Sequence, residues 1–153
     1  MKKIGFIGVG IMGKSMVRNL MKAGFELHIY ARTKSKVEDV ISEGAAFHES
    51  ISECVKDCEA VITIVGFPKD VEEVYFDEGN ILDSAREGTY LIDMTTTSPK
   101  LSKRIYEKAK EKGISPKEFV DGVANTVKET FDMMNTSYDY FIRTTDEGHE
   151  KQV

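Results

Sequence analysis

Along most of its length the chain alternates between two apolar spacings. It opens on Ile4-Gly5-Phe6-Ile7, a run too short for a helix and bounded like a buried strand. From Ile11 onward the apolar residues move to helical spacing, at Ile11, Met12, Met16, Leu20 and Met21, in a helix expected to reach about Ala23 and stop at Gly24. "FELHIYA" then alternates like a strand and ends at Ala31, and Ser35 to Glu43 reads as a helix stopped by Gly44. "AAFH" is a short strand, and Ser50 opens a helix with a capping box to Glu53. "EAVITIVGF" is the apolar, β-branched run of a central parallel strand, followed by "PKDVEEVYF" as a helix. After a turn at Asp77–Gly79 come a short helical piece, the strand "TYLIDMT", and a helix from Ser98-Pro99 to Lys112 that ends at Gly113. Alternation of this kind predicts the α/β class, with a parallel sheet covered by helices on both faces. Right-handed crossovers favour a doubly wound, Rossmann-type order with the first strand central.

The element order gives "GVGIMG" its context. Gly8, Gly10 and Gly13 fall between the first strand and the first helix of a βαβ unit, where a dinucleotide fingerprint has to lie to work. Gly8 would permit the tight turn, Gly10 would let the backbone approach a pyrophosphate, and Gly13 would let helix and strand pack closely. At the end of the second strand, NAD-binding sites usually carry an acid for the ribose 2′-hydroxyl. This chain has Ala31, Arg32, Thr33, Lys34 and Lys36 there, with no carboxylate until Glu38. An arginine with nearby lysines suits a 2′-phosphate, so NADP is the expected ligand and NAD the less favoured one.

Composition narrows the rest. The chain has 153 residues, 41% hydrophobic and 31% charged, which fits one domain with an appendage. Its net charge of −5 argues against nucleic acid and anionic membranes as partners. No apolar run has the length of a spanning helix or a signal peptide. Cys54 and Cys58, four apart in an expected helix, read as reduced thiols in a cytoplasmic protein rather than as a disulfide. The three histidines, His28, His48 and His149, are scattered in the sequence and read as incidental, so no metal is expected.

The stretches "IGFIGVGIMGKSMVRNLMKAGFELHIYARTKSK", "AVITIVGFPKDVEEVYF" and "YLIDMTTTSPKLSKRI" resemble the β-hydroxyacid dehydrogenases, over about residues 1–114. That family includes 3-hydroxyisobutyrate dehydrogenase and the 6-phosphogluconate dehydrogenase relatives. The resemblance implies that Ile11 and Met12 back the pyrophosphate turn, and that Arg32 and Thr33 meet the adenosine end, with Lys36 nearby. It also implies that Val65, Gly66 and Phe67 line the dinucleotide cleft, and that Thr96 lies near the nicotinamide ribose. The chain departs from the family at Ala31, where many members have Asn, and at Gly66-Phe67, where the loop is longer. It lacks the family's substrate-binding Ser-Gly-Gly segment and its lysine-bearing catalytic helix. The function implied is an NADP(H)-binding domain of an oxidoreductase, catalytically incomplete in this chain. Self-association through apolar surface left by the missing helical domain is expected. The alternatives are a dinucleotide-binding module or a recombined α/β protein without activity of its own.

The last forty residues read differently. Ser115-Pro116 is again an N-cap with proline at N1, and Phe119, Val120, Val123, Val127, Phe131 and Met134 form an amphipathic stripe. Asn135 ends that helix, "YDYFIRTT" is strand-like, and Thr145-Asp146 caps a short final helix. The phrases "PKEFVD", "MNTSYDYFIRTTD" and "HEKQV" resemble methionyl-tRNA synthetase over residues 113–153, which implies a chimera joined near "KAKEKGIS". Neither of that family's ATP motifs is present, so the resemblance implies no chemistry for residues 115–153. An apolar stripe of this size rarely stays exposed on a soluble monomer. The amides of residues 119–131 are therefore expected to resist hydrogen exchange in the monomeric chain, and rapid exchange throughout would contradict the docked helix.

Overall fold

The computed structural model describes residues 2–113, so the expected tail helix, its docking and the whole of residues 115–153 lie outside the described residues. Five strands alternate with helices: β1 (Lys3–Ile7), α1 (Ile11–Lys22), β2 (Glu26–Tyr30), a 3-10 turn (Lys34–Lys36), α2 (Glu38–Ser42), β3 (Ala46–His48) and α3 (Ile51–Val55). After these come β4 (Ala60–Thr63), α4 (Pro68–Phe76), α5 (Ile81–Ser84), β5 (Tyr90–Asp93) and α6 (Pro99–Glu111). The strands form one parallel sheet in the order β3-β2-β1-β4-β5, with β1 central as the crossover rule predicts. Ile7 stands beside both Tyr30 and Thr63, Thr63 beside Asp93 and Tyr30 beside His48, so all five strands finish in one row. Their following loops therefore emerge together along one edge.

Side chains alternate across the sheet into two cores. Ile4, Phe6, Leu27, Ile29 and Ile62 pack with Val17, Val37 and Val40 under α1 and α2. Ile7 and Val61 pack with Cys54, Val55, Val71, Tyr75, Ile81 and Ile105 on the other face. Gly5 points to that second face, where a β-carbon would stand 3.3 Å from the Cys54 carbonyl, so α3 lies directly on the strand.

Three sequence expectations change. The helix expected from Ser35 to Glu43 is broken at Val37, whose φ of −125° leaves the helical region. Val37 is fully buried, and driving it into the core outweighs continuing the helix. The strand expected through Phe67 ends at Thr63, after one more bond from Ile64 N–H to Ile7 O at 3.0 Å. Beyond that point β1 has turned away at Gly8, and the ladder has no partner. The histidines are not all scattered, because the pairing of β2 with β3 brings His28 and His48 together with 2.8 Å between Nδ1 and Nε2. His28 also reaches Glu26 at 3.1 Å. Among the described residues no group of three or more metal-ligating side chains is placed to hold an ion, and no helix is long and apolar enough to cross a membrane.

Cys54 and Cys58 are free and buried, with Cys58 lying just past the end of α3. Cys58 Sγ donates to the Cys54 carbonyl at 3.1 Å, and Cys54 Sγ to the His28 carbonyl at 3.3 Å. Burial pushes the two thiols up, to about 12 and about 11.

Outside the core, α1 and α2 are joined by charge. Asp39 accepts from Lys14 Nζ at 2.8 Å and from Arg18 Nη2 at 2.7 Å, while Arg18 also forks onto Glu43. Lys14 first, then Arg18, hold the Asp39 carboxyl at about 2, below the ordinary 3.8. A carboxyl lowered on folding contributes stability that is complete above its unfolded value and is lost as pH falls toward its folded one. Asp39→Asn is therefore expected to lower the urea midpoint at neutral pH and to make its decline between pH 4 and 2 shallower than in the parent chain.

Candidate functional site

The β1-to-α1 turn is built for close approach. Gly8 takes a φ of +98°, and a β-carbon there would fall 2.0 Å from the Ile64 carbonyl oxygen. At Gly13 it would fall 2.2 Å from the Gly8 carbonyl oxygen and 3.2 Å from the Phe6 ring. Neither position has room for a methyl group. Gly10 differs, because nothing lies within 4 Å of its would-be β-carbon and its φ of −83° suits any residue. Gly10 is the N-cap of α1 and offers no side chain to the first-turn amides, and no acid stands in that turn. A bare helix N-terminus facing open space suits an anion.

That turn forms one wall of a cleft of about 360 Å³ at the carboxyl edge of the sheet. The cleft lies between the loops after β1, β2 and β4, where the chain's winding reverses direction and open α/β sheets bind ligands. Gly8, Gly10, Arg32, Thr33, Lys36, Val65 and Gly66 all border it, seven of the residues expected from sequence. Gly13 sits beneath the turn. Ile11 and Met12 are not among the residues that wall the cleft and are 94% and 70% exposed. Phe67 is exposed as the N-cap of α4, and Thr96 is exposed beyond β5. Lys34 turns away, 3.8 Å from Glu49 and 5.1 Å above the Phe47 ring.

The sequence reading missed Asp70. Its Oδ2 accepts the Phe67 N–H at 3.0 Å, and its Oδ1 accepts from Arg32 Nη2 at 2.6 Å. Glu73, one turn further along α4, accepts from the same nitrogen at 3.0 Å. Arg32 holds the Asp70 carboxyl below its usual range. An acid at the third position of α4 was the available signal, since a capping carboxylate points back toward the loop it caps.

Beneath the loops runs a buried hydroxyl chain. Tyr75 donates to Thr63 Oγ1 at 3.1 Å, and Thr63 in turn donates to Asp93 at 2.9 Å. Asp93 accepts the Thr95 N–H at 3.1 Å, and Thr95 Oγ1 accepts the Val65 N–H at 2.9 Å. The loop after β4 is thus tied to the loop after β5.

Over residues 3–124 the sequence matches the family described as the NAD binding domain of 6-phosphogluconate dehydrogenase. The chain belongs to that family. It is 48% identical over 113 residues to the uncharacterized oxidoreductase YkwC of Bacillus subtilis, covering 74% of this chain and 39% of that protein. It is 37% identical over 127 residues to glyoxylate/succinic semialdehyde reductase 1 of Arabidopsis thaliana, covering 83% of this chain and 43% of that one. Among solved structures, 3-hydroxyisobutyrate dehydrogenase of Mycobacterium tuberculosis superposes with a TM-score of 0.69 at 28% identity, covering 76% of this chain and 39% of its own. The chain thus spans about two-fifths of the length of these relatives. It is an NAD(P)-binding domain of the β-hydroxyacid dehydrogenase type, and the open space over Gly10 fits the pyrophosphate such a domain holds.

The three glycines can be separated experimentally. Gly10→Val is expected to keep the denaturation midpoint of the parent chain and to abolish dinucleotide binding, because the added side chain fills the approach without touching protein. Gly13→Ala is expected to lose about 2–4 kcal/mol of stability through overpacking against the Gly8 carbonyl. Urea melts and a fluorescence titration check both.

Proposed function

We propose that this chain is the NADP(H)-binding part of an oxidoreductase that moves hydride between the nicotinamide and a small β-hydroxy acid. When bound, the dinucleotide supplies the hydride chemistry, and the residues described here bind and orient it. The first-turn amides of α1 meet the pyrophosphate. Thr33 and Lys36 border the adenosine end, and the Val65–Gly66 loop, fixed through Thr95, forms the opposite wall. The preference for NADP rests on one observation: the residue that reaches the cleft from the end of β2 is Arg32, not a carboxylate. A guanidinium forks onto a phosphate through parallel charge-assisted bonds.

On the phrases "MNTSYDYFIRTTD" and "HEKQV" we take the chain beyond the family match, which ends at 124, to come from a different ancestry and to add nothing to cofactor binding.

The test is a pair of titrations at low salt. NADP is expected to bind more tightly than NAD, and Arg32→Ala to weaken NADP on the order of tenfold while changing NAD by less than about threefold. Raised salt should narrow the gap. Equal affinities in the parent chain would refute the preference.

A further inference from the structure

Arg32 does not wait in the cleft unpaired. Asp70 and Glu73 both take the same nitrogen, Nη2, and among the described residues the rest of the guanidinium has no hydrogen-bond partner. The two members of the main pair are unequally held. Asp70 is anchored through its second oxygen to the backbone N–H that opens α4, and its side chain is 20% exposed. Arg32 is a long side chain, 61% exposed, on a loop. Asp70 is also the one carboxylate among the residues that wall the cleft. It therefore stands at the sheet edge where β2 itself supplies no acid.

We propose that Asp70 is a specificity-determining residue, a fixed carboxylate that offsets the charge of Arg32 and repels a 2′-phosphate beside it, and so limits the preference for NADP over NAD. The proposal rests on the reading that Arg32 is the 2′-phosphate ligand. Its physical content is a competition. A dianionic 2′-phosphate that takes the open Nε and Nη1 of Arg32 meets a guanidinium charge already shared with Asp70, and it lies near a carboxylate that cannot swing away because it caps a helix. NAD presents a neutral hydroxyl at that place. It meets no such repulsion, and an anchored carboxylate can accept from it. Asp70 thus weakens NADP and leaves NAD unharmed, so removing its charge is expected to widen the gap between them.

The experiment titrates the full chain with NADP and with NAD at low salt, for the parent, Asp70→Asn, Arg32→Ala and the double variant. Asn keeps an oxygen for the Phe67 N–H, and Asp70→Ser serves as the second variant if a urea melt shows that Asn disturbs the fold. Asp70→Asn is expected to tighten NADP about threefold to tenfold, the scale of an exposed charge pair plus the repulsion it relieves, and to leave NAD within about twofold. The gain should be smaller in the Arg32→Ala background, where only the direct repulsion is left to relieve. An unchanged NADP-to-NAD ratio in Asp70→Asn, with Arg32→Ala still costing NADP, would overturn this proposal and leave the Arg32 reading intact. So would an equal gain with and without Arg32, since Asp70 would then act on the ligand alone. An unchanged ratio in Arg32→Ala would overturn the Arg32 reading itself, and this proposal with it.

Discussion

Three stretches of backbone meet in this fold with no space for a methyl group between them: the end of β1, the first turn of α1, and the strand exit after β4. Gly8 and Gly13 are what allow the meeting, since a β-carbon on either would overlap a carbonyl oxygen. The rest follows from that contact. It carries the chain away from the sheet one residue after Ile7, which ends the β1–β4 ladder and frees Ile64 to Gly66 to become a wall. It also points the amino end of α1 at the space so opened. A larger residue at either glycine would separate the turn from the β4 loop, and the cleft would lose its floor before it lost any ligand contact.

Electrostatics works on top of that geometry and at a smaller scale. The chain is acidic overall, yet Arg32 and Lys36 contribute a local positive field at the cleft. Asp70 and Glu73 partly cancel that local field. Burial is what separates the roles here. Tyr75 and Thr63 lie in the low-dielectric interior, where a hydrogen bond is strong and its loss costly, and through half-buried Asp93 they fix loops. The Arg32 contacts lie in solvent, where they are weak enough to be exchanged for a ligand.

What the sequence made legible was what is local or periodic. The order of elements, the central β1 and the glycine turn were all readable from spacing, because they depend on neighbours within a few residues. The break at Val37 was not, since a β-branched residue inside an apparent helix leaves the helix only when a distant core claims it. Nor was the partner of Arg32. Residues 32 and 70 are brought together by β1 lying between β2 and β4, and no local pattern records which side chains two separated loops present to each other. The His28–His48 pair is another product of strand register. The family match runs from 3 to 124, ten residues past the end expected at about 114 and through the expected join near "KAKEKGIS".

The two thiols have a use that follows from where they lie. Both belong to the core under α3, α4 and α6, and the core under α1 and α2 contains none. A thiol reacts as its thiolate, and these two are held protonated by burial. Alkylation of the native chain must therefore wait for that layer to lift. Its rate counts the openings of one half of the sandwich while staying silent about the other, so a single reagent isolates the stability of that one layer.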